Sequence, residues 1–343
     1  MAVRSTPKNA KSTLSVLIIG AGIAGLTAAR ELTQLGYDVT VLDKGRGVGG
    51  RMATRRIDRA RADHGAQYIT AQTPEFQQCI ETLRAANTTA IWQSEEAVNY
   101  VGTGGMSGIA KHLAQGLRIE LNEKVVRVAA ESTGWLVQTE AGNEYRANAL
   151  LLTIPVPQAL ALLNDSDCRL EAADCIALDA ISYEPCLTVL ATVERSGLIP
   201  APGFWQSPTP DVAWVVDNQQ KGISPEQPSV TIHASSSFSR ENLDGDLEAA
   251  GRQLLTQLQR RIPAETVGVV QVHRWRYSHA ERQHPAPFLA ASAPFPLLFG
   301  GDGFGADSLS DLRSGVERAF VSGRAMAAFI ISRVDSARSV SVG

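Results

Sequence analysis

The sequence has no apolar run near the roughly 18 residues that a membrane-spanning helix needs. Its four cysteines, Cys79, Cys168, Cys175 and Cys186, include no CxxC pair. Neither a zinc-thiolate cluster nor a disulfide framework is therefore expected. The six histidines share no metal-ligand spacing, so no metal site is expected. An excess of basic charge is also lacking. Lys and Arg number 32 against 35 Asp and Glu, a net charge of −3, which gives no electrostatic case for nucleic acid or an anionic membrane. No Ser-His-Asp set, acid–base dyad, internal repeat or low-complexity segment is legible. The head, residues 1–13, is basic and polar, but the apolar run behind it is broken by glycines and ends without a cleavage site. It reads as a disordered tail, not a signal peptide, and the expected compartment is the cytoplasm.

What is present is the composition of a globular protein, 44% hydrophobic and 20% charged. At 343 residues two intergrown domains are the default. Leu14 to Ile19 is a short apolar run, after which Gly20, Gly22 and Gly25 fall in G-x-G-x-x-G spacing. A periodic helix, Ile23 to Leu35, is closed by Gly36, and a second strand ends at Asp43. The first glycine makes the tight turn, the second lets backbone approach a pyrophosphate, and the third lets the helix pack on the strand. The helix N-terminus faces the phosphates, and Asp43 is spaced to accept from ribose hydroxyls. Together these point to a dinucleotide.

FAD rather than NAD follows from what comes next. "DKGRGVGGRMATRR" carries Gly49, Gly50 and Arg51, a second phosphate-facing loop, and "ADHGAQYIT" follows it. An Arg after paired glycines can bridge a pyrophosphate. Near the far end a buried strand, Leu297 to Phe299, precedes Gly300, Gly301 and Asp302, and a helix starts at about Arg313. Asp302 can take ribityl or ribose hydroxyls, and the helix can face the N1–C2 edge of a flavin. The cofactor domain is thereby discontinuous.

These blocks resemble the renalase family within the FAD-dependent amine-oxidase superfamily. The stretches "DHGAQYIT", "YVGTGGMSGIAKHL", "WVVDNQQ", "TIHASSSFSRENL", "HRWRYS" and "GGDGF" occur in that family's order. The resemblance implies an α/β fold: a Rossmann-type FAD-binding domain with an inserted α+β mixed-sheet substrate domain. Residues 14–75, 102–160 and 294–335 would form the first, 76–101 and 161–293 the second, and 336–343 a C-terminal tail. Non-covalent FAD would be held by Gly20, Gly22, Ala24, Gly25, Asp43, Lys44, Gly50, Arg51, Gln67, Tyr68, Val126, Asp302 and Arg313. Val125 and Val126 would meet adenine through backbone groups. Substrate-pocket candidates are Gly65, Ala66, Gln67, Tyr68, Ile69, Asn218, His233 and Trp275.

Bacterial members of that family are understood as oxidases of the 2- and 6-dihydro isomers of NAD(P)H, returning β-NAD(P)+ and passing electrons to O₂ to give hydrogen peroxide. The implied partners are thus a dihydronicotinamide dinucleotide and O₂. Hydride loss from a dihydropyridine makes an aromatic cation without a base, so orientation would supply most of the catalysis. The alternatives are oxidation of an amine or another small substrate, and non-catalytic flavin binding. Many amine oxidases place a Lys near flavin N5, at the strand start that here reads Tyr183, Glu184, Pro185, Cys186. No Lys stands there, and every Cys precedes the C-terminal block.

Overall fold

The computed structural model describes residues 14–93, 98–166, 168–305 and 314–340. The expected N-terminal tail and Arg313 lie outside them. Ser15–Ile19 forms the central strand of a six-stranded sheet. Asp38–Asp43 and Ile119–Leu121 follow on one side, and Ala149–Leu152, Leu297–Phe299 and Leu289–Ala290 on the other. All neighbours pair in parallel except the short edge strand Leu289–Ala290. The sheet therefore draws strands from three separate stretches of chain. Val16 to Ile19, Ala149–Leu152 and Leu297–Phe299 are unbroken apolar runs because both faces are covered, whereas Thr40 interrupts Asp38–Asp43.

Helix Ile23–Gln34 packs on one face, and the long helix Gly315–Val340 lies over it. Gly323 makes that approach possible: a Cβ there would collide with the Ala24 carbonyl. The helix runs on to Val340 where the sequence suggested a tail from residue 336. Residues 334–340 contain no Gly or Pro to stop it. Strands Val125–Ala130, Trp135–Thr139 and Glu144–Ala147 form a separate antiparallel meander leading back into Ala149–Leu152.

The second large sheet has the order Phe204–Thr209, Val212–Asp217, Ser229–Ala234, Ser182–Val193, Val267–Arg282. Its pairings are all antiparallel, where a mixed sheet was expected. Helices Ser236–Glu241 and Leu247–Gln257 connect two strands that run the same way. Ser182–Val193 lies between those two, so they are not paired with each other. Within residues 76–101, helix Pro74–Ala85 sits against the first sheet layer, while Trp92 packs on Phe204 of the second sheet at 5.3 Å. Phe76, Ile80 and Leu83 of helix Pro74–Ala85 share a core with Ile18 and Leu26 of the first sheet layer. Phe76 packs on Phe320 with ring centroids 4.9 Å apart. No helix of the described residues is long and apolar enough to cross a membrane.

Candidate flavin site and adjoining polar network

The two glycine loops meet. Gly20 has φ +112° and donates its N–H to Leu42 O at 2.8 Å. A Cβ at Gly25 would strike the Gly20 carbonyl, whereas one at Gly22 would enter open space. Gly22 caps helix Ile23–Gln34 with extended backbone, no side-chain cap and no acid in the first turn. The helix N-terminus is therefore left to an anion. Gly49 and Gly50 both have positive φ, Gly49 N–H donates to Ala21 O at 2.8 Å, and a Cβ on Gly50 would face Gly22 at 3.7 Å. The second loop thus lies against the first where a pyrophosphate would run.

Asp43 closes this cradle. Its Oδ2 accepts from Ala21 N–H at 2.7 Å and its Oδ1 from Gly45 N–H at 2.6 Å. Each oxygen keeps a lone pair for a ribose hydroxyl. Lys44 reaches Gln158 Oε1 at 3.4 Å on the surface. Val126 is the extra residue of a bulge between Val125 and Arg127. A bulge leaves its backbone groups off the ladder, as an adenine contact would require. These donors and acceptors fit an adenine dinucleotide.

Arg51 forks onto Asp302, Nη2 to Oδ1 at 2.6 Å and Nη1 to Oδ2 at 2.8 Å. Nη1 also approaches the Tyr277 and Ser278 carbonyls. The sequence reading assigned Arg51 to the pyrophosphate; here two planar groups match edge to edge. Asp302 follows Gly301, whose N–H donates to Ser322 Oγ of the C-terminal helix at 2.9 Å.

The Arg51 carbonyl anchors the next motif. It accepts from Ala66 N–H at 2.9 Å, and a side chain at Gly65 would collide with it. Ile69 is fully buried and exchanges both backbone hydrogen bonds with Tyr100 at 2.8 Å. Tyr68 turns toward an aromatic group: its ring lies 6.0 Å from Trp214 and 6.4 Å from Trp92. Phe204 stacks on Trp214 at 4.7 Å. The Trp214 indole N–H is buried without an acceptor among the described residues.

Strand register sets Trp214, His233, Thr188 and His273 in one row across the second sheet. Gln67 bridges this row to the motif. Its Nε2 donates to Asp63 O at 2.8 Å and Gly65 O at 3.0 Å, and lies 3.4 Å from His233 Nε2. Trp275 donates its indole N–H to His64 O at 2.8 Å and stacks on the His64 ring at 4.9 Å. Asn218 is buried beneath this layer. Its amide nitrogen donates to Ser229 Oγ at 3.2 Å and Thr231 Oγ1 at 3.0 Å, and Thr231 Oγ1 donates to Asp63 O. Gln67, Asn218, His233 and Trp275 thus belong to one network, with Tyr68 on its flank.

The histidines are held neutral. Burial and then the Lys221 charge draw His233 down to about 4, against a hydrogen bond to the His64 backbone. Burial, His273 and Arg55 bring His64 to about 3, and burial with Arg55 takes His273 to about 4.

Sequence reasoning missed three members: Asp63, His64 and Lys221. Asp63 Oδ1 accepts from Thr54 Oγ1 at 2.5 Å and Met106 N–H at 2.9 Å. Its Oδ2 pairs with Lys221 Nζ at 2.8 Å, both side chains fully buried. Lys221 also donates to Gln67 Oε1 at 3.1 Å and lies over the Trp92 ring at 5.6 Å. The available signals were an acid two residues before Gly65 and a lysine three after Asn218.

Among known proteins, residues 18–83 match the NAD(P)-binding Rossmann-like domain and residues 91–331 the flavin containing amine oxidoreductase family. Mouse renalase is 28% identical over 318 residues, 84% of this chain and 92% of that protein. Kocuria rosea putrescine oxidase is 31% identical over 97 residues, 26% of this chain and 20% of its own. A structure of putrescine oxidase bound to putrescine shares the fold at TM-score 0.66 and 15% identity, covering 93% of this chain and 99% of the other. A cradle built for an adenine dinucleotide and a family match over residues 91–331 agree: the chain belongs to the flavin-containing amine oxidoreductases, as a renalase-like, FAD-dependent oxidoreductase.

Proposed function

We propose that this enzyme oxidises 2- or 6-dihydro isomers of NAD(P)H to β-NAD(P)+ and passes the electrons to O₂, giving hydrogen peroxide. The observation that carries the reading is how fully the polar side chains of the Gln67 network are engaged with one another: Gln67, Asn218 and Trp275 each donate to protein acceptors. Burial and the Lys221 charge hold the pKa of His233 at about 4, uncharged at neutral pH, so its one N–H stays in place and its unprotonated nitrogen is a weak base. Its Nε2 already faces Gln67. Lys221, lowered by burial against the pull of Asp63, is taken up by Asp63 and Gln67. Such an arrangement suits a dihydropyridine, which needs no proton exchange with the protein.

When bound, FAD supplies a two-electron acceptor for a hydride and passes the pair on to O₂. The protein's part is placement. Gly22, Gly49, Gly50 and the helix N-terminus would hold the pyrophosphate, Asp43 a ribose, and Asp302 hydroxyls near the ring. Tyr68 and Trp214 offer an aromatic wall for the nicotinamide. Exclusion of water by this wall would protect the reacting carbon.

The test is an anaerobic titration of the holoenzyme with 2- and 6-dihydro-NAD, their phosphorylated forms, β-NADH and a set of amines including putrescine. The reading expects a dihydro isomer to bleach the flavin absorbance, and air to restore it with peroxide formed. Bleaching by an amine, with the isomers inert, would overturn it in favour of amine oxidation.

A further inference from the structure

We propose that Lys221 is a positioning residue of the pocket: its buried ammonium holds the Gln67 amide by its oxygen, turning the amide nitrogen toward His233 so that His233 stays an uncharged acceptor. Nothing in the loop sequence Asn218 to Gly222 suggests this, because the partners lie about 160 residues earlier in the chain.

The geometry fixes each atom in turn. An ammonium has donors and no acceptor, so the Gln67 atom 3.1 Å from Lys221 Nζ is the oxygen. The nitrogen then falls 2.8 Å from Asp63 O and 3.0 Å from Gly65 O, both pure acceptors. Three contacts agree on one orientation of an amide that is otherwise ambiguous. The same nitrogen lies 3.4 Å from His233 Nε2. Its two hydrogens serve three acceptors, and an amide nitrogen accepts nothing, so a proton on His233 Nε2 would find no partner there and the unprotonated nitrogen is favoured. Asp63 makes the arrangement tolerable by neutralising Lys221 at 2.8 Å. A fully buried lysine without a partner would shed its charge.

The groups bearing on His233 come from every side. Lys221, with Asp63 behind it, lies in the loop after Val212–Asp217. Gln67 and the His64 backbone come from the motif, and uncharged Thr188 and Trp214 from the neighbouring strands. His273 and Arg55 stand beyond His64 and act on it. Of these, Lys221 is the cation that lowers His233 directly.

The test is a titration of ¹⁵N-histidine-labelled holoenzyme by NMR, with the His233 signals identified by their loss in His233→Gln. The variants are Lys221→Arg, Lys221→Met combined with Asp63→Asn, and Gln67→Glu. The paired substitution avoids leaving a lone buried carboxylate. We expect an unprotonated Nε2 on His233 at pH 7 in the native protein and in Lys221→Arg. In the paired variant His233 should titrate higher, because Lys221 and not Asp63 is the charge acting on it, while burial still holds it below an ordinary histidine. In Gln67→Glu an acceptor replaces the nitrogen, and His233 should be charged near neutral pH. A protonated Nε2 in the native protein, or a His233 titration unmoved in the paired variant, would overturn the proposal. Should the paired variant fail to fold, an unmoved titration in Gln67→Glu overturns it equally.

The proposal rests on the pocket reading above for its effect on turnover. There the paired variant should slow flavin bleaching roughly 10- to 100-fold with FAD content unchanged. The histidine titration involves no substrate. An error about the dihydronicotinamide would leave that titration as expected and show itself in the donor titration alone.

Discussion

Arg51 and Asp302, 251 positions apart in sequence, meet as a two-bonded guanidinium–carboxylate pair. The pair joins the second glycine loop to the C-terminal block, so its two ends should act as a unit on the cofactor. Arg51→Ala and Asp302→Ala should each lower the FAD content of purified protein. The double variant should be little worse than the more damaging single, with coupling of about 1 kcal/mol or more. Absorbance at the flavin band per protein, and FAD affinity after stripping, give the comparison. Fully additive losses would mean that the two residues hold FAD independently.

Gly22 and Gly25 should fail differently. Gly22 has room for a Cβ and ordinary φ, so Gly22→Val should fold and yet load little FAD, because its side chain stands where phosphate must approach. Gly25→Val puts its Cβ into the Gly20 carbonyl. It should lose several degrees of melting temperature even in the FAD-free state. Circular dichroism melts beside flavin content separate the two outcomes. Equal melting losses in both variants would contradict this assignment.

Stability should fall as the pH drops. His64, His233 and His273 are held at about 3, 4 and 4 in the folded chain, below the 6.5 of an unfolded histidine. The unfolded state therefore binds more protons between those values. The contribution is whole above about pH 6.5 and drains away as the pH falls toward 4. For His233 alone the loss is about 2 kcal/mol by pH 5. Melting temperatures from pH 7 to pH 5 should decline, and His233→Gln should flatten part of the slope. A level profile would refute the buried-neutral assignment.

FAD should leave the protein on acid denaturation. The four cysteines sit at positions 79, 168, 175 and 186, all free, and Cys186 is buried with its thiol pushed up to about 11, chiefly by burial. A neutral buried thiol is a poor nucleophile toward a flavin. Yellow colour in the supernatant after trichloroacetic acid is expected; colour retained in the pellet would show a covalent bond.

Local chemistry was the most legible part of this protein. Gly20, Gly22, Gly25 and Asp43 act within one strand–turn–helix–strand unit, so spacing alone revealed their arrangement. The parallel sheet followed from the same unit. What escaped notice was decided by distant neighbours. Lys221 looks like a solvated loop lysine until Asp63 and Gln67 are seen around it. His64 looks like the variable place in its motif until Trp275 stacks on it. Asn218, read as a pocket wall, is drawn beneath it by Ser229 and Thr231. Pairing partners of the second sheet were likewise undetermined, because apolar alternation records which face is buried and not which strand lies beside it.

The strand Leu297–Phe299 pairs with Ala149–Leu152, and Gly323 docks on the helix that begins at Gly22. On a ribosome these partners are separated by well over a hundred residues of synthesis. The glycine loops emerge long before the sheet edge, Asp302 and the covering helix that complete their surroundings. Contacts of such long range are slow to form and leave apolar strands bare meanwhile. The cradle is thus complete only once residues 297–330 have been made, and a nascent polypeptide stalled before residue 297 would expose an unfinished parallel edge to whatever else is nearby.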